Sequence, residues 1–109
     1  MKKIDIGKDF TDTPLGRYAS DGSFSGERFR DEYLLPALKG DEQVSVIIDD
    51  VEGYGSSFLE EAFGGLVRKH GFTAKELHSK LIVVCESVAY QLYKILIWKY
   101  IDEARPETK

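Results

Sequence analysis

The sequence predicts an α/β domain: a mixed β-sheet of about four strands with helices packed on it. Strand-like and helix-like segments alternate along the chain, the order that layers helices on a sheet. The strongest strand pattern, at 43–49, is apolar on both of its faces, as in a strand covered on two sides. A length of 109 residues suits one domain with a single core and no need of disulfides.

The elements follow in order. "KKIDI" alternates polar and apolar residues, with Ile4 and Ile6 on one side, and reads as a short strand. Residues 7–26 carry Pro14 and the turn glycines Gly16 and Gly22, so they read as a long loop with a strand pair around Phe10 and around 16–19. "SGERFRDEYLLPALKG" is a helix, with Ser25 as N-cap and Glu27 in its first turn. Pro36 is expected to kink or end it near Leu35.

"QVSVIID" is the next strand, and "SSFLEEAFGGLVRKHG" the next helix. Its apolar stripe runs through Phe58, Leu59, Ala62, Phe63, Leu66 and Val67, and Gly71 ends it. Gly64 and Gly65 each cost about 1 kcal/mol against alanine in a helix, which predicts close approach of another backbone. "TAKELHSK" opens with a Thr73–Glu76 capping box. "LIVVCE" is a second buried strand, and residues 87–104, capped by Ser87, are the last helix. Its apolar residues extend beyond one face, so it is expected to be covered on more than one side. The domain is expected to span 1–104, with 105–109 as a frayed tail.

Composition narrows the function. A net charge of -4 without a Lys/Arg stripe disfavours nucleic acid, whose binding rests on phosphate neutralisation. No apolar run has the length of a membrane span, and no signal core follows the basic start, so a cytoplasmic protein is expected. The single cysteine, Cys85, reads as a small buried hydrophobe. His70 and His78 have no partners at metal-ligand spacing, and neither serine sits in a GxSxG elbow. No catalytic residue, metal or cofactor is predicted.

The stretch richest in chemistry is "DDVEGYGSSFLEE". Ser57 and Glu60 have capping-box spacing, so Ser57 is the expected cap and Ser56 the hydroxyl left outside the helix, facing solvent. Gly53 and Gly55 make the bend. A phosphate there would meet the positive end of the helix dipole, and its charge would change how that surface docks. The bland alternative is that both serines are caps in a glycine turn. In the preceding loop, Arg17, Arg28 and Arg30 alternate with Asp21, Glu27, Asp31 and Glu32. They form either a recognition surface or ion pairs among themselves.

These residues resemble the STAS domain of bacterial anti-sigma factor antagonists and sulphate transporter tails. "VSVIIDDVEGYGSSFLEEAFGGLV" is similar to that family's strand, acid, serine-bearing loop and apolar helix. Asp49 or Asp50 falls at the acid after the strand, Ser56 at the phospho-acceptor and Ser57 at the following hydroxyl. Gly55 stands where that family has a loop aspartate, and Phe58 where it has a glycine. Over roughly 7–101, including "GRYASDGSFSGERFRDEYLLPAL" and "GYGSSF", the chain is most similar to a divergent STAS-like family of unknown function. The resemblance implies a non-enzymatic regulatory module that binds a protein. Its partner would be a kinase of the histidine-kinase-like ATPase fold, which phosphorylates Ser56 or Ser57. Asp50, Gly53, Tyr54, Gly55, Phe58 and Arg17 are the expected partner-binding residues. The alternative is an assembly module, a homodimer or a subunit of something larger, joined through Tyr93, Trp98 and Tyr100 of the last helix.

Overall fold

The computed structural model describes Lys2–Glu107. Three strands, β1 (Lys2–Asp5), β2 (Val44–Ile47) and β3 (Leu81–Val84), form one sheet in the order β1-β2-β3, and both pairings are parallel. The sheet is therefore parallel rather than mixed, and three-stranded among the described residues rather than about four. The expected strand pair is absent because local polar groups take its backbone. The Asp5 side chain accepts from the Lys8 amide, opening a wide helical turn at Ile6–Phe10. The Asp21 carboxylate accepts from the amides of Arg17 and Tyr18 around a 3₁₀ turn at Ala19–Asp21. Short acidic side chains compete with strand ladders in this way.

Register divides the sheet into two faces. Ile4, Val44, Val46, Leu81 and Val83 share one face and are buried in the core cluster. Asp5, Ile47 and Val84, with Lys3, Ser45 and Ile82, share the other. That second face is more open than expected. Ile82 is 37% exposed, and Ile47 and Val84 border a shallow groove of about 240 Å³.

Helix α1 (26–38) is built from Gly26–Phe29, Arg30–Leu34 and Leu35–Leu38. Ser25 caps it, its hydroxyl accepting from the Arg28 amide at 3.2 Å. Pro36 does not end it. The turn before the proline is widened, with the Leu35 amide bonded to the Arg30 carbonyl five residues back. Widening relieves the collision between a proline ring and the carbonyl four residues earlier. Helix α2 (56–70) joins Ser56–Leu59, Glu60–Gly64 and Gly65–His70, with a matching wide turn in the middle. Gly71, at φ 76°, stops it. Helix α3 (Ala74–Lys80) opens on the Thr73–Glu76 capping box. A 3₁₀ turn, Val88–Tyr90, leads into α4 (Gln91–Glu103), and Ser87 makes no side-chain cap bond.

Helix α2 is the hub and packs against both α1 and α4. Phe58, Leu59, Ala62, Phe63 and Leu66 are all fully buried. Close approaches explain the glycines. A Cβ on Gly26 would lie 2.4 Å from the Phe58 carbonyl oxygen, and one on Gly64 would lie 3.4 Å from that of Tyr100. One on Gly65 would meet Arg30 Nη1 at 2.4 Å, so the intruder there is a side chain rather than a backbone.

Helix α4 is covered on one side only. Ile97 and Ile101 are buried, whereas Leu92 and Ile95, and Val88 in the turn before the helix, are exposed. The aromatics expected at an interface turn toward neighbours instead. Tyr93 packs on Tyr54 at 5.1 Å, Trp98 stacks on His78 at 4.3 Å, and Tyr100 joins the core margin. In the expected tail, the Glu107 amide donates to the Arg68 carbonyl. Thr108 and Lys109 lie outside the described residues.

Candidate functional site

The chain leaves β2 at its C-terminal end, where Asp49 ties down the neighbouring strand's exit. Its carboxylate accepts from the Glu86 amide at 2.8 Å and the Ser87 amide at 3.0 Å. Burial pushes that carboxyl up, but the two amides and Cys85 outweigh it and hold it below its ordinary value. Asp49 is thus a structural clamp. Asp50 is exposed and 3.9 Å from the Lys8 ammonium. Cys85 is half-buried, and burial together with Asp49 pushes its thiol up, away from the reactive thiolate.

The loop then makes its bend. Gly53 has φ 158°, and the Glu52 amide donates to the Asp12 carbonyl, joining this loop to the one before α1. Tyr54 is a half-buried pillar under the loop. Its hydroxyl donates to the Ile48 carbonyl at 2.9 Å, its ring packs edge-on against Tyr93 and Tyr90, and burial pushes its pKa up. Phe58 is fully buried between Phe29 and Tyr54. It therefore cannot contact a partner, because its aromatic surface is consumed in the core.

The helix start differs from the expected capping box. Gly55 holds the N-cap position with φ -78° and ψ 142°, and it contributes no side-chain cap. That backbone is open to any residue. Ser56 and Ser57 are the first two helical residues, both are exposed, and neither hydroxyl has a hydrogen-bond partner among the described residues. Ser57 is not the cap because the helix begins before it, and the Glu60 amide donates to main-chain carbonyls, including that of Ser56, rather than to the Ser57 hydroxyl. The Glu60 carboxylate accepts two bonds from Arg68, at 2.6 and 3.1 Å, and one from Arg17.

Both serines and Gly55 line one side of a cavity of about 680 Å³. Gly16, Arg17, Tyr18 and Asp21 line the other, with Leu15 at the lip. Leu15 is 72% exposed. A second cavity, of about 460 Å³, shares Leu15 and Gly55 and runs toward Glu52, Tyr54 and Tyr93. Of the expected partner-binding residues, the structure brings Gly53, Tyr54, Gly55 and Arg17 to these cavities. Asp50 borders the sheet-face groove instead.

Arg17 belongs to a charge network that the spacing rules did not reveal. Arg30 and Glu61, 2% and 1% exposed, form an ion pair at 2.6 Å inside the α1–α2 contact. Arg30 also donates to the Glu61 carbonyl and to Asp31. Arg68 and Lys69 approach Glu61 from the helix C-terminal side, and Arg17 reaches it at 3.3 Å. Burial pushes Glu61 up, but Arg30, Lys69 and Arg68 more than offset this and hold it below its ordinary value. All three arginines are therefore paired: Arg28 with the local acid Glu32, Arg30 with both its neighbour Asp31 and Glu61, and Arg17 with Glu60 and Glu61 of α2. The signal was Arg30 itself, a charge at a stripe position between Phe29 and Leu34.

The described residues contain no group of three or more His, Cys, Asp or Glu that could hold a metal ion. No described helix is long and apolar enough to cross a membrane. A family model described as a STAS-like domain of unknown function matches residues 25–90. The match takes in α1, the serine corner and α2, and it leaves "GRYASDG" outside. No curated protein and no solved structure matches the chain.

Proposed function

The chain belongs to the family of STAS-like domains of unknown function, and from that premise we propose that it is a non-enzymatic regulatory module. It binds a protein through the cavity ahead of α2 and is switched by phosphorylation there. The observation that carries this reading is the pair of hydroxyls at Ser56 and Ser57, exposed and without hydrogen-bond partners at the rim of a cavity. The fold consumes neither, so both are available to a second protein. A kinase of the histidine-kinase-like ATPase fold is the partner in this proposal. It would transfer the γ-phosphoryl of ATP to the serine oxygen, releasing ADP and taking up the hydroxyl proton. The requirement for ATP places the reaction in the cytoplasm.

The resulting charge, about -1.5 to -2 at neutral pH, would sit on the first turn of α2, where an anion is favoured. It would also sit on the wall opposite Leu15 and Tyr18, the apolar groups that a partner would cover. Phosphorylation would thus leave the domain folded while weakening docking.

The test pairs mass spectrometry with binding. Incubation with ATP and the candidate kinase should place phosphate on Ser56 or Ser57, and Ser56→Ala combined with Ser57→Ala should abolish it. Ser56→Asp should weaken partner binding about tenfold, equivalent to about 1.4 kcal/mol, with an unchanged circular dichroism spectrum. Absence of modification, with partner binding unaltered in Ser56→Asp, would remove the switch.

A further inference from the structure

The outer face of α4, together with the 3₁₀ turn that leads into it, carries a stripe of apolar side chains that the fold leaves uncovered. Val88, Leu92 and Ile95 are 88%, 61% and 63% exposed. Within α4, Lys99 continues the line of Leu92 and Ile95, at spacings of three and four, and Val88 sits in the turn just ahead of it. The ends of the line carry opposite charges. Glu86 precedes Val88, and Lys99 follows Ile95 by one turn. Both are exposed, and neither has an ion-pair partner among the described residues.

We propose that this stripe is a self-association surface, on which a second copy of the chain docks with its α4 antiparallel. A two-fold axis between Leu92 and Ile95 sets each Leu92 against the other copy's Ile95. It also sets each Lys99 over the other copy's Val88, with its ammonium in reach of the other copy's Glu86. The pattern is self-complementary, as a two-fold interface requires. The parallel arrangement instead stacks Lys99 on Lys99 and Glu86 on Glu86. An acid and a base at opposite ends of one apolar line, both unpaired among the described residues, therefore favour a second copy over a partner of unrelated charge.

The stripe from Val88 to Lys99 is short, about 16 Å at 1.5 Å per residue. It belongs with the small, reversible interfaces rather than the obligate ones. Ser56, Ser57 and Arg17 lie off it, so dimerisation and the serine switch can succeed or fail separately.

Sedimentation velocity on the whole chain over a concentration series tests this. The wild type should shift from monomer toward dimer as concentration rises. Leu92→Lys should remain monomeric with an unchanged circular dichroism spectrum. Glu86→Lys and Lys99→Glu should each weaken the dimer severalfold, and the double exchange should recover most of that loss. A wild type still monomeric at about 1 mM, Leu92→Lys dimerising like wild type, or a double exchange with no recovery would each overturn the proposal.

Discussion

At the scale of single residues, Arg30 and Glu61 carry the largest electrostatic stake. Both are sealed from solvent, and Gly65 exists in the form the site needs, since a Cβ there would occupy the space of the Arg30 guanidinium. Removing Arg30 leaves the buried Glu61 with only its longer contacts to Arg17, Arg68 and Lys69, which costs about 3 kcal/mol, the low end for a broken buried pair. Arg30→Met should accordingly lower the free energy of unfolding by that amount in a urea titration, although methionine fills much of the volume. The residue scale is also where the sequence was least legible. Phe58 belongs to the apolar stripe of its helix, yet the STAS resemblance also sets it beside the serines as a partner-binding residue. It is core because α2 turns its ring onto Phe29. Ser57 and Glu60 had capping-box spacing, but two arginines outcompete a serine amide for the carboxylate. Spacing rules see neighbours three or four residues along the helix, and not Arg17 arriving from α1's approach loop or Arg68 reaching back from two turns further on.

At the scale of elements, the reading was better where caps and periodicity coincide. Ser25, the Thr73–Glu76 box and Gly71 mark real boundaries, because each satisfies orphan backbone groups locally. β2 and β3 were legible from their β-branched runs. The strand pair was not, because Asp5 and Asp21 divert amides that a ladder would need. The start of α2 yields a prediction of its own. Gly55, which stands where the STAS pattern has an aspartate, occupies the N-cap in ordinary extended backbone, and a Cβ there meets only Leu15 at 3.7 Å. Gly55→Asp should therefore fit without strain and stabilise the helix by about 0.3 kcal/mol, read as a small rise in thermal midpoint. A fall would mean the corner needs glycine for a reason other than space.

At the scale of the whole molecule, acid should be the condition that loosens it. Glu60 and Glu61 have folded pKa values held below the ordinary 4.5, by Arg68 and Arg17 and by Arg30, Lys69 and Arg68 respectively, against burial. A depressed carboxyl contributes stability above its unfolded pKa, and that stability is lost as pH falls through the folded value. Asp5 runs the other way. Burial and Asp50 raise it, so protonation relieves it. The network carboxylates outnumber it and join α1, α2 and the Arg17 loop. The urea midpoint should fall steadily below about pH 4.5, and it should fall less in Arg30→Met. A midpoint flat from pH 6 to pH 3 would mean that the network contributes little to the difference between folded and unfolded chain.

The wide turns inside α1 and α2, at Arg30–Leu34 and Glu60–Gly64, give the molecule its rhythm. The inward residues of α2 recur in strides of four, from Phe58 to Ala62 to Leu66 and from Leu59 to Phe63 to Val67. Those of α1 do the same, from Phe29 to Tyr33 to Ala37 and from Arg30 to Leu34 to Leu38. A regular helix gains about 40° with every such stride and would swing Leu66 some 80° away from Phe58. One slack turn in each rod cancels the drift. Both cylinders thereby keep step along their shared seam, and neither could be straightened into an ideal helix without rotating half its grip into water.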